Sequence, residues 1–242
     1  MIILFTDFGA NDLYVGQVKG VLHRGAPNVP VIDLLHEVPA FNVRAGAHLL
    51  AALSAQFQAG SVFLAVIDPG VGGPRQSMVL EADGKWFVGP DNGLLSVVHQ
   101  RASASQCWHV RWQPENLSAS FHGRDLFAPI AARIAMGDFP HAQLEVGNLD
   151  EILQQEDLPE IIYLDHYGNA VTGLRAAEIS QGVTLKVGGQ LVRHARIFSE
   201  VPVGEAFWYQ NSIGLVEIAV NRGSAAGQLK LSIGHSVEIC PG

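Results

Sequence analysis

The first quarter of the chain alternates short apolar runs with amphipathic ones, and that alternation restricts the fold more than any other feature. "IILFTDF" is a short apolar run ending in polar residues, and "YVGQVKGVLHRGA" places Val15, Val18, Val21 and Leu22 at helical spacing before stopping at Gly25. "VPVIDLLHEV" is a second strand, "VRAGAHLLAALSAQF" an alanine- and leucine-rich helix, and "SVFLAVID" a third, buried strand. Strands separated by helices cannot pair through tight hairpins. The order predicts an α/β layer fold around a largely parallel or mixed sheet. "SMVLEADGKWFVGPDNGLLS" then reads as a hairpin about Asp83-Gly84 that leads into a helix starting at Asn92, and "GRDLFAPIAARIAMG" as one more helix.

After Gly147 the pattern changes. "NLDEILQQEDLPE" is acidic, polar and closed by a proline, the composition of a linker. Beyond it, "EIIYLDHYGNAVTG", "GVTLKVGGQLVRHARIF", "AFWYQNSIGLVEIAV" and "GQLKLSIGHSVEI" are short segments with turn signals at the spacing of a small all-β domain. The expected organisation is an N-terminal α/β domain over 1–147, a linker over 148–160 and a smaller, all-β, barrel-like domain over 161–242.

With 242 residues and 48% hydrophobic content, the chain can bury a sizeable core. Its net charge of −8, from 23 acidic and 15 basic residues, disfavours nucleic acid or an anionic membrane as partner. No apolar stretch approaches the roughly 20 residues of a membrane helix. "MIILFTDFG" enters a strand at once with no basic leader. A cytoplasmic protein is expected. The two cysteines, Cys107 and Cys240, have no metal-type spacing, and the histidines form no H-E-x-x-H pattern, so no metal and no cofactor is implied.

Phosphate-loop, dinucleotide-fingerprint and nucleophile-elbow motifs are absent from the sequence, which removes the commonest α/β chemistries. What stands out instead is "VIDPGVGGPRQSMVLE", where Asp68 and Arg75 flank a glycine-rich turn between two strands. Loops at strand ends commonly carry chemistry. Asp7 in "FTDFG" also follows a strand, and His122 in "SFHGRD" precedes a helix. Singly, each reads first as a turn, a cap or a structural hydrogen-bonding residue.

In order, "TDFGANDLYVGQVKG", "HEVPAFNVRAGA", "IDPGVGGPR", "GPDNGLLS", "FHGRDLFAP", "DHYGNAVT" and "NSIGLVEIAVNRGSAA" resemble the S-adenosyl-L-methionine hydrolase (adenosine-forming) family. Its members are also called S-adenosylmethionine hydroxide adenosyltransferases and are related to the fluorinase and chlorinase. The resemblance covers nearly the whole chain. It implies an α/β domain, a β-barrel-like domain, a homotrimer with sites between subunits, and conversion of S-adenosyl-L-methionine and water to adenosine and L-methionine.

By the same resemblance Asp68, Arg75 and His122 act together on the attacking water, with either Asp68 or His122 accepting its proton. The glycines between Asp68 and Arg75 are expected to let backbone pass close to the ribose. Asp7, followed by Phe8, is implied to hold the ribose hydroxyls, and Phe41 and Phe121 to wall the ribose and sulfonium. Asp12, Asp165 and Ser212 are implied to address the methionine end. Tyr167 and Phe198 are implied to stack on adenine, and Asn169, Asn221 and the backbone of Arg222 to read its edge. Tyr167 stands where the family commonly has phenylalanine. Ile213 stands where the halogenase branch has arginine, and Asp68 where that branch has a loop tyrosine. Two other readings share these motifs: a halide-using enzyme of the same fold, and a non-catalytic adenosine- or S-adenosylmethionine-binding module.

Overall fold

The computed structural model describes residues 1–153 and 157–240, and the chain divides into two compact units, Met1–Gln154 and Gln155–Gly242. Residues 154–156 of the expected linker lie outside the described residues.

The first unit contains β1 (Ile2–Thr6), α1 (Leu13–Gly25), β2 (Val31–Leu35), α2 (Val43–Ser54), β3 (Val62–Val66), β4 (Ser77–Ala82), β5 (Lys85–Pro90), α3 (Ser96–Arg101), β6 (Ser105–Val110), α4 (Ala128–Ala135) and β7 (Leu144–Gly147). Its sheet runs β2-β1-β3-β5-β4-β6-β7. The β2-β1-β3-β5 half is parallel, as the strand–helix alternation predicts for its first three strands; β4, β6 and β7 extend it antiparallel. The change of direction has a local cause. Asp83 (φ 48°) and Gly84 (φ 74°) both take the left-handed conformation of a two-residue hairpin turn, which forces β4 and β5 to pair antiparallel. The sheet is therefore mixed.

Both faces of its centre are covered. Ile2, Leu4, Val62 and Leu64 join Val18 and Leu22 of α1 and Ile130 of α4 in one core, each at most 1% exposed. The alternate residues Ile3, Phe5, Phe63 and Ile67 are all fully buried on the other side. There α2 comes close enough that a Cβ on Gly46 would lie 2.2 Å from Cδ1 of Ile67. Burial on two faces explains why these strands read as continuous apolar runs rather than alternating ones. Each such side chain contributes about 1.5–3 kcal/mol.

The second unit contains β8 (Leu158–Leu164), β9 (Ala170–Arg175), β10 (Thr184–Val187), β11 (Gln190–His194), β12 (Ala206–Gln210), β13 (Leu215–Val220), the short α5 (Ala225–Gln228) and β14 (Glu238–Cys240). They form one sheet, β14-β10-β11-β12-β13-β9-β8. The chain just before β14 returns to the far edge: amides of Gly234 and Val237 donate to carbonyls of Ile161 and Pro159 at 2.8 Å, and Ile161 donates to His235 at 2.9 Å. Main-chain bonds thus join the two edges and curl the sheet into a half-barrel. It encloses Trp208, Val216, Ile218, Leu185 and Val192, all at most 1% exposed. The indole of Trp208 donates to the carbonyl of Val183 at 3.2 Å, so its one polar atom is satisfied.

Candidate active site

Topology brings Asp68 and Arg75 together. β3 and β4 are neighbours in sequence, but β5 lies between them in the sheet, so residues 67–76 must cross over the end of β5. The "GPDNG" turn at that end holds both shoulders of the crossing loop. The Asn92 side chain donates to the carbonyl of Ile67 at 2.9 Å, and the amide of Asp91 donates to the carbonyl of Gln76 at 3.1 Å. This is why α3 starts at Ser96 rather than at Asn92: the Asn92 side chain is turned toward β3 and also accepts the amide of Leu94. One of the loop's glycines has a packing role. A Cβ on Gly72 (φ 77°) would lie 2.3 Å from the carbonyl oxygen of Ala119, so the loop is pressed against the backbone leading to His122. Only glycine fits that approach.

Within this frame Nε of Arg75 donates to both Asp68 carboxylate oxygens, at 2.9 and 3.1 Å, and Nη2 donates to Oδ2 as well. Nη2 also reaches Nδ1 of His122 at 2.9 Å, while Nη1 donates to the hydroxyl of Ser77 at 3.1 Å. The Asp68 and Arg75 side chains are 5% and 11% exposed, which makes this a desolvated ion pair rather than a surface one. Phe127 packs beneath the guanidinium, 5.3 Å from ring centroid to Cζ. Phe127 ends a π-helical turn, Gly123–Phe127, that runs into α4, so the helix predicted from Gly123 begins with a widened turn immediately after His122. Such turns are frequent at functional sites.

Asp68 and His122 open into a cavity of about 340 Å³ that Asp7, Phe8, Asp12, Phe41 and Phe121 also line. Oδ2 of Asp7 accepts the amide of Phe41 at 3.0 Å. Burial raises the Asp7 pKa above the ordinary carboxylate value, the negative Asp68 adds to the rise, and the Phe41 amide opposes it. Phe41 is 75% exposed and holds φ 62°, unfavourable for a bulky residue. Asp12 caps α1, its Oδ1 accepting the amide of Leu13 at 2.6 Å. Phe8, Phe121 and Tyr14 form an aromatic cluster, with centroids 5.3–5.8 Å apart. Sequence reading missed Tyr14. Its signal was its place in the "TDFGANDLY" stretch, one residue into α1.

The second unit has its own cavity, about 740 Å³, lined by Asp165, Tyr167, Asn169, Phe198, Ser212 and Arg222. Asp165 fixes the "DHYGN" turn: Oδ1 accepts the amides of Tyr167 and Asn169 at 2.9 and 2.8 Å, and Oδ2 accepts the Asn169 side chain at 2.9 Å. Asn221 is not in the lining; its side chain donates to the carbonyl of Val201 at 2.6 Å. Three lining residues with polar side chains escaped the sequence reading, Tyr209, Asn211 and Glu217. Tyr209 and Glu217 are cross-strand partners on β12 and β13, and the phenol donates to Oε1 across 2.6 Å while Asn211 donates to Oε2 at 3.0 Å. Burial and the Glu217 charge push the Tyr209 phenol pKa well up. Strand alternation could have placed both on one face of the sheet, but not that this face lines a cavity.

A desolvated carboxylate–guanidinium–imidazole cluster at the carboxyl ends of parallel strands, opening into an aromatic-walled cavity, defines a small-molecule enzyme. Residues 2–145 match the SAM hydroxide adenosyltransferase N-terminal domain and residues 159–238 the corresponding C-terminal domain. The chain belongs to that family. It is 38% identical to an (R)-S-adenosyl-L-methionine hydrolase of Thermus thermophilus, with 98% of each chain covered. A fluorinase of Nocardia brasiliensis is 26% identical, covering 99% of this chain and 96% of its own. A crystal structure of an uncharacterized conserved protein from Thermotoga maritima superposes with a TM-score of 0.90, at 33% identity and full coverage of both chains.

Proposed function

We propose that this chain hydrolyses (R)-S-adenosyl-L-methionine to adenosine and L-methionine, and that Asp68, Arg75 and His122 direct the attacking water. The observation that carries the reading is the three-residue cluster opening into the first cavity, on a chain 38% identical to a protein named for this reaction. The sulfonium leaves as a neutral thioether and needs no proton. The difficulty is the nucleophile, which must approach the ribose 5′-carbon in line with the departing sulfur. Asp68 accepts a proton from water, the oxygen forms its bond to the 5′-carbon, and the carbon–sulfur electron pair goes to sulfur. Arg75 holds the carboxylate and the imidazole in register, so that Asp68 and the outer nitrogen of His122 both address the oxygen.

The remaining assignments follow the chemistry of each side chain. Asp7 accepts hydrogen bonds from the ribose diol. Phe8, Phe41 and Phe121 wall the ribose and sulfonium. Asp12, Asp165 and Ser212 take the methionine end. Tyr167 and Phe198 stack on adenine, with Asn169, Asn221 and the Arg222 backbone at its edge. These residues divide between the two units, which supports sites completed by the N-terminal unit of one copy and the C-terminal unit of its neighbour; the family resemblance makes that assembly a cytoplasmic homotrimer. No helix among the described residues is long and apolar enough to cross a membrane.

Incubation with S-adenosylmethionine, followed by chromatography, tests the reading. Adenosine and methionine in equal amounts are expected. A 5′-halogenated nucleoside would indicate the halide-using enzyme, and unchanged substrate a binding module.

A further inference from the structure

Apart from both cavities, Asp91, His109 and Asp150 converge in the first unit, with one ligand atom from each within 4.8 Å of the others. Three separate pieces of chain supply them: Asp91 follows β5, His109 lies on β6, and Asp150 follows β7. Asp91 is 3% exposed. Its Oδ2 accepts the amide of Asp150 at 3.0 Å, but its Oδ1 is buried and has no hydrogen-bond partner among the described residues. Nδ1 of His109 is in the same condition. Buried polar atoms are almost always satisfied, and each exception calls for an explanation such as an ion or a water. Here two residues of one cluster each carry such an atom, a carboxylate oxygen and an imidazole nitrogen, with a third ligand residue at the solvent edge.

We propose that Asp91, His109 and Asp150 bind a divalent transition-metal ion of the zinc or manganese class. One imidazole and two carboxylates form a nitrogen–oxygen set, suited to such ions and without the thiolates that would favour softer ones. Water completes the coordination from the Asp150 side. The three ligands are far apart in the chain, so the sequence offers no spacing signature for them. The ion's role is structural: it ties the segment after β7 to β5 and β6. It also bears on the catalytic loop, because the Asp91 amide is bonded to the carbonyl of Gln76, which accepts Nη1 of Arg75 at 3.4 Å as well.

The test is thermal unfolding of the chelator-treated full chain, with and without added Zn²⁺ or Mn²⁺. At metal roughly a hundred times above its Kd, Tm should rise by about 5–10 °C. Asp150→Asn changes an exposed side chain and leaves the core in place, so its metal-free Tm should stay near that of the wild type while the metal-induced rise falls by more than half. His109→Gln should lose the rise similarly, and Co²⁺ should give visible absorption bands in the wild type that both variants lack. No rise with either ion in the wild type, or an equal rise in both variants, would overturn the proposal.

Discussion

Nη2 of Arg75 donates to Nδ1 of His122 across 2.9 Å, and this bond fixes the roles of the two imidazole nitrogens. A guanidinium has donors only, so Nδ1 is the acceptor and the hydrogen of the neutral ring sits on Nε2. Burial first, then the Arg75 charge, hold the His122 pKa below 6.5, outweighing the opposite pull of Asp68 and Asp125. With its Nδ1 lone pair engaged by Arg75 and its hydrogen on Nε2, the neutral ring offers the water oxygen a donor and no free acceptor. This geometry supports the proposal that Asp68 takes the proton, between two candidates that the sequence left open.

The titration of His122 tests this directly. Imidazole C–H resonances should show a His122 midpoint below 6.5, and Arg75→Gln should move it upward by removing the neighbouring charge. The stability sign follows from linkage. The unfolded ring titrates near 6.5 and the folded one lower, so neutral His122 contributes stability that is complete above 6.5 and lost as pH falls through the folded midpoint. A wild-type midpoint at or above 6.5 would contradict the assignment.

Asp68→Asn keeps the shape of the acceptor and removes its basicity. Adenosine formation should fall by roughly 10²–10⁴, the range for a lost acid–base group. Substrate affinity by calorimetry should change little. Wild-type turnover in this variant would remove Asp68 from the mechanism.

Asn92→Leu addresses how Asp68 is held. The substitution removes the donor to the Ile67 carbonyl, the last backbone acceptor before Asp68, while keeping a branched side chain of four heavy atoms. A shift of the carboxylate by a fraction of an ångström to one ångström should cost about 10–100-fold in kcat with KM within about threefold. A raised KM with unchanged kcat would show that Asn92 serves binding instead.

These residues also mark the boundary of what the sequence reveals. The strand–helix alternation of the first 68 residues is local, because two-face burial writes apolar runs directly into the strands, and the parallel half of the sheet was legible for that reason. The Asp83-Gly84 hairpin was equally legible, through its turn chemistry. The neighbours of the resulting strands were not: that β5 inserts between β3 and β4, and so brings Asn92 under the Asp68 loop, depends on pairing between segments far apart. Asp68, Arg75 and His122 gained their roles only from seven ordered motifs taken together. Tyr209 and Glu217 stayed hidden because an aromatic residue and a glutamate on adjacent strands carry no signature until the register makes them partners.

The proposed assembly has a complementation test. Asp68→Asn disables the chemistry on the first unit, and Ser212→Trp obstructs the cavity on the second. Neither variant alone should form adenosine at an appreciable rate. Unfolded together and re-assembled, they should recover part of the activity through sites that combine the intact halves of two copies. A fully active monomer by light scattering would exclude shared sites.

The last expectation concerns which nucleophile the first cavity admits. Asp68 lines that cavity with a side chain 5% exposed, so water screens its charge poorly. A chloride ion brought to about 4 Å from the carboxylate would be opposed by roughly 4 kcal/mol at an effective dielectric of about 20, nearly a thousandfold in occupancy. Arg75 offsets part of that repulsion. Its Nε already spans both Asp68 oxygens and its Nη2 is shared with His122, so the positive charge is directed away from an incoming anion. Stripping the halide of its hydration adds a further cost that neutral water does not meet. Water should therefore remain the nucleophile at molar chloride, with adenosine as the only nucleoside product by mass spectrometry. Asp68→Ser removes the repelling charge and leaves Arg75 without its carboxylate, so any slow formation of 5′-chloro-5′-deoxyadenosine should appear in that variant first. A dominant chlorinated product from the wild-type chain would show that the Asp68 carboxylate does not face the nucleophile.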